Sequence, residues 1–310
     1  MTHPVALVGP TASGKSALVL ALARQRPGVE LVSVDSMTVY RGMDIGTAKP
    51  TAAMRAEIPY HLLDLVDPSE EFTVREFQVA AQGAMAQIAG VGHRALLVGG
   101  TGLYLRAVVD QLELPGRYPE ISAGLEREAD GRGGLSTLYE RLSTLDPLAA
   151  SRTTPENRRR IIRALEVTLG TGRAFSSFGP GLATYPASPV VLIGIPFDPA
   201  IHDPAIEERF AAMVNGGLVD EVQRLLAHPG GMSRTARQAL GYREIISHIE
   251  GGIPLQEALE SAVRRTKSLA RRQRAWFRRD PRIRWMDPHG DLVDQFLNAW
   301  DTAEPAEMRD

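Results

Sequence analysis

An eight-residue loop near the start of the chain has the residue types and spacing of a phosphate-binding loop. It consists of Gly9, Pro10, Thr11, Ala12, Ser13, Gly14, Lys15 and Ser16, which fit the pattern G-x-x-x-x-G-K-[ST]. In such a loop the glycines let backbone N–H groups converge on a phosphate, and the lysine adds a mobile cation. The loop recognises two linked phosphates rather than a nucleoside. It therefore predicts a diphosphate site, with Ser16 as the residue that can ligate Mg²⁺.

A carboxylate follows the next predicted strand. Asp35 comes directly after the apolar residues 31–34. Ligands of open α/β sheets bind beyond the carboxyl ends of the strands, so Asp35 is expected to face the same crevice as Lys15. There it can accept a proton from an incoming nucleophile. The alternative is that Asp35 only caps a turn or supports the magnesium shell.

The third predicted strand ends without a carboxylate. Residues 95–98 are apolar and run into Gly99, Gly100 and Thr101. Enzymes that hydrolyse ATP carry an acidic residue at the end of such a strand, where it organises Mg²⁺ and water. The glycine pair and hydroxyl therefore weaken an ATPase interpretation and leave room for a diphosphate that is not a nucleotide.

Strands and helices alternate through the first third of the chain, which predicts an α/β fold. Apolar runs at 5–8, 31–34, 95–98 and 190–194 alternate with helical patterns at 16–26 and 72–89. Apolar strands favour a parallel sheet covered on both faces, here a P-loop NTPase-like sheet flanked by helices. Residues 117–185 contain helical patterns at 134–142 and 156–169. We therefore predict a core domain of residues 1–116 and 186–310, and a helical insertion domain of residues 117–185 that contacts the nucleic acid. Further helices are predicted at 206–215, 219–227 and 255–277.

Composition excludes several classes of site. The 310 residues include no cysteine, which rules out disulfides, thiolate zinc sites and a cysteine nucleophile. No apolar run approaches the roughly 18 to 20 residues of a membrane span, and the first residues lack the pattern of a secretory signal. A soluble, cytoplasmic protein with no membrane partner is expected, and a monomer is the default because nothing indicates an obligate dimer.

Positive charge is concentrated near the end of the chain, although the net charge is only -2. Between residues 264 and 284 a single anion, Asp280, opposes ten cations: Arg264, Arg265, Lys267, Arg271, Arg272, Arg274, Arg278, Arg279, Arg282 and Arg284. A second basic run spans residues 158–163. Such clusters are usually solvated helix faces, but this density is also typical of a surface that binds phosphodiesters. Trp276, Phe277 and Trp285 lie among the cations, where they either stack on bases or pack in the core.

Several motifs together resemble those of bacterial tRNA dimethylallyltransferases, the IPP transferase family. They are residues 9–16, 34–36, the block YRGMDIGTAKP at 40–50, GGTGLY at 99–104, RALEV at 163–167 and LGYRE at 240–244. The resemblance runs from about residue 5 to residue 285. It implies transfer of a dimethylallyl group from dimethylallyl diphosphate to N6 of the adenosine 3′ of the anticodon, tRNA position 37. Diphosphate is released with the help of Mg²⁺, and the partner is the tRNA anticodon stem-loop.

The resemblance also implies roles for individual residues. Asp35 is expected to be the general base and adenine ligand, and Lys15, Ser16, Thr101 and Arg209 to bind the diphosphate. The expected tRNA contacts are Asp35, Ser36, Met37, Thr38, Arg159, Arg160, Ile161, Ile162, Arg163, Arg237, Gln238, Gly241, Tyr242 and Arg243. An Asp35→Ala variant is expected to bind both substrates and to lose turnover.

Three other functions remain open from the residues alone. A kinase of a small metabolite explains the phosphate loop and Asp35, but not the basic stretch. A transferase that prenylates free adenine nucleotides needs no surface that binds an anticodon. A non-catalytic nucleic-acid-binding module could use the loop as a regulatory switch, and tight RNA binding without prenyl transfer would favour it.

Overall fold

Six parallel strands form one sheet in a computed structural model that describes residues 3–179 and 181–304. The strands are β1 (Val5–Val8), β2 (Val29–Val34), β3 (Tyr60–His61), β4 (Arg94–Gly99), β5 (Val191–Gly194) and β6 (Arg284–Trp285). Their order in the sheet is β3-β2-β4-β1-β5-β6, and every pairing is parallel. The predicted fold class, a parallel sheet with flanking helices, is confirmed.

Helices account for most of the remaining chain. They are α1 (Lys15–Gln25), α2 (Ala52–Glu57), α3 (Val74–Gly90), α4 (Gly102–Val109), α5 (Pro119–Asp130), α6 (Gly134–Leu145), α7 (Pro147–Ser151), α8 (Arg158–Thr171), α9 (Pro199–Asn215), α10 (Leu218–Leu226), α11 (Arg234–Arg237), α12 (Tyr242–Gly251), α13 (Leu255–Phe277) and α14 (Leu292–Asp301). The predicted helix at 206–215 begins earlier, at Pro199. Asp198 caps it by accepting a hydrogen bond from the backbone N–H of Ala200, and proline suits the first helical position.

Successive residues of the central strands point into two different hydrophobic cores. In β1, Ala6 and Val8 join one cluster, whereas Val5 and Leu7 join the other. The first cluster is covered by side chains of α3, α4, α10, α12 and α13, and the second by side chains of α1 and α14. Because both faces are covered, β1 and β5 are buried at every position, as is typical of the centre of a parallel sheet. The carboxyl ends of the strands remain at one edge, where the loops of interest begin.

The chain divides into two compact units. One is Leu112–Tyr185, and the other consists of the described residues on either side of it. In the smaller unit α5, α6 and α8 pack around a core that includes Leu125, Leu138 and Leu165. Residues 112–116 belong to this unit because Glu113 pairs with Arg173, at 3.2 Å. The unit thus begins slightly earlier than the predicted boundary at residue 117.

No helix in the described part of the chain combines the length and the apolar character needed to cross a membrane.

Candidate active site

The phosphate loop leaves β1 and turns directly into α1. Gly14 adopts the left-handed conformation, with φ of 79°, at the position just before the helix. The Lys15 ammonium folds back over the loop, where its Nζ donates to the backbone oxygens of Gly9 at 3.0 Å and Pro10 at 2.6 Å. Burial, together with the nearby Arg209 guanidinium, lowers the pKa of Lys15 to about 7, although the Asp35 carboxylate acts to raise it. The loop therefore holds a cation whose charge is poorly compensated, which favours an incoming anion.

Arg209 adds a second cation to the loop. It projects from α9, and its guanidinium donates to the Thr11 hydroxyl at 3.3 Å. Burial lowers the pKa of Arg209, and the Asp35 carboxylate partly offsets that effect. The arginine stays protonated all the same, because a guanidinium loses its proton only at very high pH. Lys15 and Arg209 thus bring two positive groups to the same loop, as a leaving diphosphate requires.

Asp35 lies at the same edge of the sheet. It follows β2 as the phosphate loop follows β1, and the two strands run parallel in one sheet, so both segments begin at the same edge. Its negative charge acts to raise the pKa of both Lys15 and Arg209. One oxygen, Oδ1, accepts a hydrogen bond from the backbone N–H of Met37 at 2.8 Å. This bond makes Asp35 a turn former as well, as the structural alternative required. The side chain is only half-buried, so it is still open to a substrate.

The glycine pair after β4 allows two close approaches. A Cβ on Gly99 would lie 2.0 Å from the Val34 backbone oxygen, at the end of the neighbouring β2. A Cβ on Gly100 would lie 2.4 Å from Nε2 of Gln273, a residue of α13 that the sequence analysis did not single out. Thr101 follows as the N-cap of α4, but its side chain makes no capping hydrogen bond. Its hydroxyl is therefore available to a ligand at this edge.

A buried carboxylate holds the segment 40–50 in place. Glu221 of α10 accepts hydrogen bonds from the backbone N–H groups of Asp44, Ile45 and Gly46, at 2.8 to 3.2 Å. It also accepts from the Tyr242 hydroxyl at 2.6 Å. Burial and the Glu221 charge raise the pKa of Tyr242 well above its usual range, so this phenol keeps its proton. The segment is thus fixed by long-range contacts that its own sequence does not reveal.

The residues around Ser16 suit a hard cation that also binds the substrate. Ser16 is exposed in the first turn of α1, next to Lys15. Mg²⁺ takes oxygen ligands and usually keeps several waters and substrate phosphates in its shell, so few protein ligands are needed. Among the described residues no group of three or more His, Asp or Glu forms a complete metal site. The Ser16 hydroxyl is a suitable oxygen ligand for such an ion.

The basic start of α8 presents only some of the predicted tRNA contacts. Arg159 and Arg160 are exposed, whereas Arg163 donates to the Pro115 backbone oxygen at 2.8 Å. Ile161 and Ile162 are 0% and 3% exposed and lie in the core of the smaller unit. Their side chains therefore do not face solvent as those of Arg159 and Arg160 do, and the tRNA contact of Ile161 and Ile162 stays a prediction that only their backbone could meet.

The predicted contacts at 237–243 are similarly mixed. Arg237, Gln238 and Arg243 line a surface cavity of about 750 Å³ together with Arg234. The Tyr242 side chain is fully buried against Glu221, so a tRNA contact at this position stays a prediction that only its backbone could meet.

Of the contacts predicted after β2, the structure buries one. The Thr38 hydroxyl lies 3.1 Å from that of Ser33, and Thr38 is only 6% exposed, so its side chain is not open to RNA. Ser36 and Met37 are half-buried and stay candidates.

Carboxylates from other elements neutralise part of the charge on and after α13. Ion pairs join Arg265 to Glu244, Lys267 to Glu207, Arg271 to Asp203, and Arg282 to Asp280 and Asp110. The exposed residues Arg272, Arg278 and Arg279 have no ion-pair partner within the described chain. The cationic surface is therefore smaller than the sequence predicts.

The aromatic residues among these cations divide between packing and exposure. Phe277 is buried in the core and Trp276 packs against it, which excludes Phe277 from base stacking. Trp285 is 40% exposed and is the most exposed of the three.

Comparison with known proteins identifies the family. Residues 38–280 match the IPP transferase family. A tRNA dimethylallyltransferase of Nocardioides sp. is 46% identical over 96% of this chain and 95% of its own length. One from Desulforudis audaxviator is 43% identical over 93% of each chain.

Solved structures agree with the sequence comparison. The tRNA isopentenylpyrophosphate transferase of Bacillus halodurans is 36% identical, with a TM-score of 0.69 over 97% of this chain and 95% of that one. The corresponding protein of Staphylococcus epidermidis is 30% identical, with a TM-score of 0.68 over 97% and 98%. With matches that cover almost the whole of both partners, this chain belongs to the IPP transferase family.

Proposed function

We propose that this chain transfers a dimethylallyl group from dimethylallyl diphosphate to N6 of the adenosine at tRNA position 37, and releases diphosphate. The observation that carries the proposal is that Asp35 follows β2 at the edge of the parallel sheet where β1 leads into the loop that holds Lys15 and contacts Arg209. A carboxylate beside two cations provides a proton acceptor next to a cradle for a leaving anion. The family relatives, which are tRNA dimethylallyltransferases, support the same reaction.

The reaction requires both the proton acceptor and the cationic site for the leaving diphosphate. The exocyclic amine of adenine is a weak nucleophile because its lone pair is delocalised into the ring. Attack by N6 on the allylic carbon forms the C–N bond as the C–O bond to the diphosphate breaks, and the electron pair of that bond leaves with the diphosphate. Asp35 then takes the proton that N6 releases. No other group needs to change its covalent bonding.

The phosphate loop stabilises the leaving group. Lys15 moves from the Gly9 and Pro10 oxygens to the diphosphate, and Arg209 is already held against the loop through Thr11. The Thr101 hydroxyl and the loop N–H groups supply further donors to the developing negative charge. Mg²⁺, bound through Ser16 and the phosphates, would supply additional positive charge there. Ser16, in the first turn of α1, is the residue that would hold this ion.

The RNA partner is proposed to be the anticodon stem-loop, with the chain acting as a monomer in the cytoplasm. A base must leave its stack to reach a pocket at the edge of a sheet, and this is easier in a loop than in a duplex. Arg159 and Arg160 of the insertion unit are exposed, as are Arg272, Arg278 and Arg279 of the core unit. We propose that these cations bind the phosphodiester backbone of the stem-loop.

One assay tests the proposed function directly. The chain is incubated with labelled dimethylallyl diphosphate, Mg²⁺ and an unmodified tRNA transcript, and the RNA is digested and searched for N6-dimethylallyl adenosine. A transcript with guanosine at position 37 is the matched control and is expected to stay unlabelled. Label on AMP but not on tRNA would instead support the free-nucleotide transferase, and turnover of ATP without label transfer would support a kinase.

A further inference from the structure

The Gln273 side chain joins two loops that the catalytic proposal treats as separate. Its Oε1 accepts a hydrogen bond from the backbone N–H of Thr11, in the phosphate loop, at 2.9 Å. Its Nε2 donates to the backbone oxygen of Gly100, after β4, at 3.0 Å. A carboxamide is suited to this bridge because it offers a donor and an acceptor on one planar group without a charge. Both the oxygen and the nitrogen of the carboxamide therefore make a hydrogen bond.

Glycine at position 100 is explained by this bridge. A Cβ there would lie 2.4 Å from Nε2 of Gln273 and 3.3 Å from the backbone oxygen of Gly9. Any side chain would push the carboxamide away from the phosphate loop. Gly100 occupies a position where a hydrolase would carry a carboxylate. Because it has no side chain, it leaves room for the Gln273 carboxamide of α13.

The next turn of α13 makes a second close contact with the same region. A Cβ on Gly102 would lie 2.2 Å from the Trp276 ring. Gln273 and Trp276 are three residues apart, so they lie on one face of α13 and rest on the start of α4. The same helix carries Arg272, and Arg278 follows directly after its end. Side chains of α13 therefore contact both the loop after β4 and the phosphate loop.

We propose that Gln273 is a positioning residue of the diphosphate site, which it couples to the basic helix α13. The amide holds the Thr11 N–H, so this donor is turned away from the ligand and the remaining loop N–H groups are set in their binding orientation. Arg209 holds the same residue through the Thr11 hydroxyl, so the loop is fixed from two sides. RNA bound on α13 stabilises the two hydrogen bonds of Gln273 and increases the affinity for diphosphate. This inference rests on the proposed function, since that function supplies both ligands.

The test measures binding of inorganic diphosphate by calorimetry in buffer with Mg²⁺. Gln273→Met keeps the length of the side chain and removes both hydrogen bonds. Loss of two hydrogen bonds, each of modest net value, is expected to weaken diphosphate binding about tenfold. Gln256→Met is the matched control, because Gln256 is exposed in the first turn of the same helix and bonds only within it, to Glu260. It is expected to bind diphosphate as the unchanged chain does.

A second measurement separates positioning from general damage. An unmodified anticodon stem-loop is expected to bind Gln273→Met with unchanged affinity, and to tighten diphosphate binding severalfold only in chains that keep Gln273. If Gln273→Met is unstable on thermal unfolding, Gln273→Glu replaces it, since Glu keeps the acceptor for Thr11 and loses the donor to Gly100. Diphosphate affinity that is unchanged in a folded Gln273 variant, or reduced equally in Gln256→Met, overturns the proposal. Prenyl transfer by the unchanged chain, assayed in parallel, shows separately whether the proposed function holds.

Discussion

Replacing Asp35 by asparagine separates its two roles more cleanly than any larger change. The structure shows Oδ1 of Asp35 accepting from the Met37 backbone N–H, and an asparagine oxygen can accept the same bond. The turn after β2 is therefore expected to survive. What Asp35→Asn loses is the negative charge and the ability to take a proton.

The expected size of the effect on turnover follows from that loss. A positioned general base contributes roughly 10²- to 10⁴-fold to a rate, which corresponds to about 3 to 5 kcal/mol of transition-state stabilisation. Two effects on diphosphate binding have opposite signs. Removal of the carboxylate ends its repulsion of the diphosphate, but it also ends the support that Asp35 gives to the protonated form of Lys15. The affinity for inorganic diphosphate is therefore expected to stay within roughly threefold of the unchanged chain.

Single-turnover transfer provides the assay. Excess enzyme, saturating labelled dimethylallyl diphosphate and limiting unmodified tRNA give the rate of the chemical step without product release. Calorimetry with inorganic diphosphate and a gel-shift assay with tRNA measure binding of the two partners. A transfer rate for Asp35→Asn within about threefold of the unchanged chain would refute the assignment of Asp35 as the base, and would leave it as a turn former only.

Three further results are expected. Gly46→Ala places a Cβ 2.4 Å from the buried Tyr242 ring and should lower the free energy of unfolding by about 1 to 3 kcal/mol. Gly83→Ala is the control: this position lies in the middle of α3 with open space around it, so alanine should stabilise the protein slightly. Thermal melts of both variants distinguish crowding at Gly46 from a general effect of alanine. The double variant Arg159→Ala/Arg160→Ala should weaken tRNA binding without changing the affinity for diphosphate. The slope of log K against log salt concentration should fall by the amount expected for about two lost phosphate contacts, and an unchanged slope contradicts this prediction. In Asp146, burial opposes ionisation, but hydrogen bonds from residues 176 and 149 outweigh it and lower the pKa below the ordinary 3.8. Asp146→Ala should therefore cost roughly 2 to 4 kcal/mol at neutral pH, and the difference from the unchanged chain should shrink as pH falls below about 4; a gap in melting temperature that is constant with pH contradicts this.

Local sequence patterns were sufficient to predict the centre of the fold. The phosphate loop, Asp35 and the glycine pair each follow a short apolar strand, and parallel strands bring such positions to one edge. The prediction needed no knowledge of which strands are neighbours. In fact β4 lies between β1 and β2, so Asp35 and Lys15 come from strands that do not pair.

Long-range partners could not be predicted from the sequence. Glu221 and Gln273 bind segments that are 173 or more residues away in the sequence, and nothing in the sequence around either residue indicates these contacts. Surface charge was overestimated for the same reason, since the anions that neutralise α13 come from other helices. The burial of the Ile161 and Ile162 side chains, in contrast, could be predicted. Apolar residues at 161, 162 and 165 follow helical spacing, which already indicates a buried face.

The Glu221 network has a consequence for how substrate meets this protein. Because one carboxylate holds three consecutive amides of the segment 40–50, that stretch reaches its final shape when the chain folds. Its conformational entropy is already lost before any ligand arrives, so substrate binding does not have to order it. We therefore expect the segment 40–50 to keep one conformation and not to close over the substrate.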